Sequence, residues 1–142
     1  MIPTELQEIY EAYARELAQA HKKSSIFAGL LGQGSMNDAR NDPCNKAFYE
    51  KVCAWVSDYA ASEPEEREVL AVCRFILEAA HLSGGKPTHW YHLVAQSHIK
   101  PLIPLLSGES CRILLEHYLR WYPKRKQFPI QREISDLLAE RV

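Results

Sequence analysis

Proline placement limits the fold of this chain more than any other feature. The eight prolines stand at positions 3, 43, 64, 87, 101, 104, 123 and 129, and none interrupts a long periodic segment. An interior proline costs a helix about 3 kcal/mol, because it removes a hydrogen bond and clashes with the preceding turn. Prolines confined to places where helices start or stop are what a helical bundle needs.

The segments between them carry the helical period. Thr4 with Gln7 forms a capping box that opens a helix to about His21, with Leu6, Ile9, Tyr10, Tyr13 and Leu17 on one face. Asp42 caps a second helix with Pro43 in its first turn, and its stripe is Phe48, Val52, Trp55, Val56 and Tyr59. Ser62 with Glu65 reads as a second capping box, for a third helix that Gly84 and Gly85 stop after Leu82.

That third helix is apolar on nearly every side from Val69 to Leu82, which predicts a central position. Leu70, Cys73, Ile76, Leu77 and Ala80 are its expected core, and Glu78 is expected to be exposed or ion-paired. Thr88 caps a fourth helix with Trp90, Leu93 and Val94, and Pro101 and Pro104 confine 100–106 to a short turn. Ser107 opens a fifth helix, with Cys111, Leu114, Leu115, Tyr118 and Leu119 inward, and Pro129 opens a last one on Ile130, Ile134, Leu137 and Leu138. No stretch alternates as a strand does, so the expected fold is an all-α, single-domain bundle of five to seven helices with no β-sheet.

Residues 24–41 break the pattern. This Gly-containing segment reads as one long loop, and loops of such length are more often functional than ordinary connectors. It also carries Ile26, Phe27, Leu30 and Leu31, which as a short helical turn would cap one end of the core. Its glycines run Gly-x-x-Gly-x-Gly from Gly29 to Gly34, with no lysine between Lys23 and Lys46. That order fits neither a phosphate loop nor a dinucleotide fingerprint.

Composition narrows the class. The 142 residues are 46% hydrophobic and 25% charged with a net charge of -1, so one globular domain over 1–142 is expected, with no whole-molecule attraction to nucleic acid or anionic membrane. The longest apolar run is broken by Arg74 and Glu78 and is too short for a membrane span. The first five residues lack the basic and apolar regions of a secretory signal. Cys44, Cys53, Cys73 and Cys111 contain no Cys-x-x-Cys pair. The last three fall among apolar residues at helical spacing, where a reduced cysteine is a small hydrophobe. A cytoplasmic location is expected.

Two constellations carry candidate chemistry. His81, His89, His92 and His98 fall close together, and His89 and His92 lie i, i+3 on the fourth helix. They can offer two nitrogens to zinc, with a third ligand from His81, His98 or a cysteine. No His-Glu-x-x-His motif and no nearby carboxylate supports that site, and a helix–helix seam explains the rings as well.

The other constellation joins the last two helices. Residues 120–132 hold five cations and no acid, with aromatic rings between them: Arg120, Trp121, Tyr122, Lys124, Arg125, Lys126, Phe128 and Arg132. Charge for phosphate and rings for stacking describe a single-strand binding surface. Charge alone describes a surface for an acidic protein, and cations at a helix C-terminus are also favoured by its dipole. The opposite sign lies at 58–68, with five acids against Arg67, able to pair with the joint within the fold or between copies.

No motif with catalytic mechanics is present, and no cofactor is expected. The expected function is a small non-catalytic interaction or regulatory module binding a protein partner through the basic joint or the 24–41 segment. Single-strand nucleic-acid binding through 120–132 is the alternative, and a metal or small-ligand site at His89 and His92 is the next. No membrane partner is expected, and a homo-oligomer stays open.

Overall fold

The computed structural model describes residues 2–31, 43–82 and 90–142, with the side chains of 17, 19–31 and 90–93 outside that description. Every regular element among the described residues is helical, as the bundle expectation required. The helices are α1 (Thr4–Leu31), α2 (Pro43–Ala61), α3 (Glu66–Leu82), α4 (Trp90–Ile99), α5 (Gly108–Trp121) and α6 (Pro129–Ala139). Short 3-10 turns stand at Ile103–Leu105 and Lys124–Lys126.

Successive helices pair: α1 with α2, α3 with α4, and α5 with α6. The α3–α4 pair lies between the other two, since α2 packs on α4 while α5 and α6 pack on α3 and α4. The predicted central third helix is in place, and α4 shares that position. The core runs through all three layers, from Leu6, Phe48 and Val52 through Cys73, Leu77 and Ile99 to Leu114, Tyr118 and Leu138.

The Thr4–Gln7 capping box is not formed: Thr4 is the first residue of α1, and Gln7 donates from its N–H to the Pro3 carbonyl and from Nε2 to the Ile2 carbonyl, both at 3.2 Å. Three further local expectations need correction. First, α1 does not end near His21 but continues to Leu31, so 24–31 is helix rather than the start of a loop. Serine costs a helix only a fraction of a kcal/mol and one glycine about 1, so an established helix can carry Ser24, Ser25 and Gly29 at one added bond per residue. Residues 32–41 of the expected loop lie outside the described residues.

Second, Ser62 closes α2 instead of opening α3. Its hydroxyl donates to the Tyr59 carbonyl at 2.6 Å and its N–H to the Asp58 carbonyl at 3.2 Å. Glu63 then takes a left-handed backbone (φ 54°), the conformation in which helices commonly terminate. Third, Leu70 is only half-buried, and Val69 and Val72 occupy the core beside Cys73, Ile76, Leu77 and Ala80. A helix apolar all round gives no contrast from which the inward face can be chosen.

The expected cap at Ser107 is present, its hydroxyl accepting from the Ser110 N–H at 3.2 Å. Glu66, the first residue of α3, reaches the same spot and accepts from the Ser107 N–H at 2.6 Å and the Ser110 hydroxyl at 2.8 Å. These bonds, those from Ser107 foremost, hold the Glu66 carboxyl below its ordinary pKa. Gly108 permits a close approach on the other side: a Cβ there would stand 2.8 Å from the Arg141 carbonyl oxygen. The Arg141 guanidinium donates to the Leu106 carbonyl at 3.1 Å, so the C-terminal segment lies over the start of α5.

Cys73 and Cys111 are buried, and Cys44 and Cys53 are half-buried. Burial pushes the Cys73 thiol up to about 12, so it behaves as a small apolar group.

Candidate functional site

The basic joint is a braced structure. α5 ends as the Tyr122 N–H donates to the Tyr118 carbonyl, and Pro123 cannot continue the helix. The chain turns through Lys124–Lys126, closed by a 2.8 Å bond from the Lys126 N–H to the Pro123 carbonyl. Gln127 then ties both ends, donating from Nε2 to the Tyr122 carbonyl at 3.0 Å and to the Ser135 hydroxyl at 2.8 Å. Gln131 accepts on Oε1 from the Phe128 N–H at 2.9 Å and so satisfies one of the open donors at the start of α6.

This bracing set is buried at Gln131 and Ser135 and half-buried at Gln127. Its sequence signal was a glutamine two residues after the Pro129 that opens α6, the spacing of a helix-start bracket.

The eight predicted residues divide into two groups. Arg120, Lys124, Arg125, Lys126 and Arg132 are exposed, and none of them is ion-paired among the described residues. Phe128 stands beside them, 53% exposed. Trp121 and Tyr122 belong to the interior seam and are half-buried.

The Trp121 ring stacks with His81 from the last turn of α3 (centroids 4.5 Å, 10°) and with His117 one turn earlier on α5 (5.7 Å, 12°). The Tyr122 hydroxyl lies 3.0 Å from His81 Nδ1, and burial raises its pKa. The two rings fix the joint to α3; the cations face water.

The acidic stretch at 58–68 does not pair with the joint within the molecule. Glu65 lies 3.8 Å from Arg67, Glu66 holds the start of α5, and Asp58, Glu63 and Glu68 are exposed. Glu78 is ion-paired as expected, at 2.8 Å from Arg74 one turn earlier.

The histidine constellation separates. His89 and His92 lie outside the described side chains. Of the third ligands considered for that site, His81, His98 or a cysteine, the two histidines are engaged elsewhere, His81 as above and His98 in the core. His98 is 1% exposed, stacks on Tyr49 (5.4 Å), meets Phe48 edge-on (5.8 Å), and approaches the Tyr49 carbonyl at 3.3 Å through Nε2. Burial lowers its pKa to about 4, against the smaller opposing effect of the Tyr49 carbonyl. No cluster of three or more potential ligands among His, Cys, Asp and Glu occurs among the described residues.

What the joint offers chemically is therefore an ordered display of positive charge beside one apolar ring. No protein-family model, curated protein or solved structure matches the chain, so this display and the fold that braces it are the ground for any functional reading.

Proposed function

We propose that the chain is a non-catalytic interaction module that binds an acidic protein surface through Arg120, Lys124, Arg125, Lys126, Phe128 and Arg132. The observation that carries this reading is the braced turn itself. Three consecutive cations are exposed and, among the described residues, unpaired on a backbone tied by Gln127 and Gln131. A backbone turn braced before binding need not be ordered by the partner, which leaves only the side chains to immobilise, at about 0.5–1.5 kcal/mol each. The cations steer an acidic partner and set its register, while Phe128 supplies the aromatic anchor that interfaces favour.

The nucleic-acid reading needs free rings on which bases stack. Trp121 and Tyr122 are engaged with His81, which leaves Phe128, and this favours the protein partner.

The test is affinity capture from a cell lysate on the immobilised chain, with and without nuclease, beside a Lys124→Glu/Lys126→Glu variant. Captured proteins should survive nuclease and be lost on the variant. In a parallel titration, a single-stranded oligonucleotide should bind only weakly. Nuclease-sensitive capture would overturn the reading. So would tight oligonucleotide binding whose log–log salt slope is about -0.7 per phosphate contacted and flattens in the variant.

A further inference from the structure

The flank of the bundle opposite the joint carries a groove of matching character. Two adjoining depressions, of about 350 and 460 Å³, open between α1 and α2 and share Glu5 and Trp55 in their walls. Glu5, Glu8, Glu16 and Asp58 line them, against Lys51 as the one lining cation among the described residues. The floor is aromatic, with the Trp55 and Tyr59 rings stacked at 4.7 Å and half-buried. Glu5, Glu8 and Asp58 are exposed and have no ion pair among the described residues.

We infer that the acidic surface recognised by the basic joint includes this groove on a second copy of the chain. The inference rests on the reading of the joint given above and names its partner. Five exposed cations face an acidic groove, and an exposed Phe128 meets a groove floored by Trp55 and Tyr59.

One molecule cannot close the contact on itself. The groove belongs to the α1–α2 pair and the joint to the α5–α6 pair, with α3 and α4 packed between them. The contact is therefore head-to-tail, each copy presenting a joint to one neighbour and a groove to the other. Charge steers the encounter, and the ring in the groove supplies the desolvated contact that holds it.

Sedimentation velocity on the intact chain tests this, with two variants whose substitutions all fall on exposed residues: Lys124→Gln/Lys126→Gln in the joint and Glu5→Gln/Glu8→Gln in the groove. At low salt the parent should form a concentration-dependent series of species that collapses to monomer at high salt. Each variant alone should stay monomeric. Their equimolar mixture retains one intact joint and one intact groove, so it should form a heterodimer that grows no further.

A parent that is monomeric at every concentration overturns the inference, as does self-association that survives the groove substitutions, or a mixture that stays monomeric. If the joint variant still loses lysate capture in those cases, the joint still binds an acidic protein and only the second copy is wrong. If it loses neither capture nor self-association, the reading of the joint itself has failed.

Discussion

Replacing Leu77 by alanine is expected to lower the free energy of unfolding by about 2–5 kcal/mol, as large-to-small core substitutions do. Leu77 is 2% exposed on α3, the helix packed on both α4 and α5. Its removal forfeits the transfer energy of the side chain and leaves a cavity that three layers of helices cannot easily close. Against a typical total of about 5–15 kcal/mol, the variant would be near the edge of folding. Urea denaturation followed by circular dichroism measures the change. Leu82→Ala on the same helix is the control, because Leu82 is 80% exposed and surface changes usually stay within about 0.5 kcal/mol. Equal losses at the two positions would show that α3 is not central.

The second large effect is acid sensitivity centred on His98. With Nε2–H donating to the Tyr49 carbonyl, Nδ1 is buried without a partner among the described residues, so the native site holds a neutral ring. An imidazole that protonates at its ordinary 6.5 when unfolded protonates only at about 4 in the native core. Above pH 6.5 both states are neutral and this group makes stability independent of pH. Between 6.5 and about 4 only the unfolded chain takes the proton, and stability falls by about 1.4 kcal/mol per pH unit. The loss reaches about 3 kcal/mol by pH 4 and then levels off, because both states are protonated.

His98→Gln keeps an N–H donor for Tyr49 and removes the titration. Unfolding free energies at pH 7.5 and 4.5 should therefore differ much more in the parent than in this variant. Parallel pH dependences would refute the assignment.

These effects show what could be read from the chain before its fold was known. Proline positions, with the Ser107 cap, sufficed for an all-helical reading, because they act within a few residues: Pro43, Ser107 and Pro129 each stand where a helix begins. The end of α1 was missed because serine and glycine at 24–31 are weak helix formers without being helix breakers. Ser62 was assigned to the wrong helix because its hydroxyl can serve either side of a bend, and the left-handed Glu63 decides which.

At the joint, local sequence identified the exposed cations, since three adjacent unpaired charges are too costly to bury. The fate of Trp121 and Tyr122 was not legible, because their partner His81 lies some forty residues away. The same distance hid the clamp between Glu66 and Ser107. Partnerships formed across the bundle leave no spacing in the sequence to read.

The layered order of helix pairs also grades how the molecule opens. An outer pair can detach while the other layers stay packed, so amide protons in α2 or α6 can reach solvent through partial openings. The inner pair has no such route, because exposing α3 means removing neighbours on both sides. Hydrogen exchange should thus be slowest along Val69, Val72, Cys73, Ile76, Leu77 and Ala80, where release reports the full unfolding free energy. The middle of the chain, not either end, sets the cooperative unit.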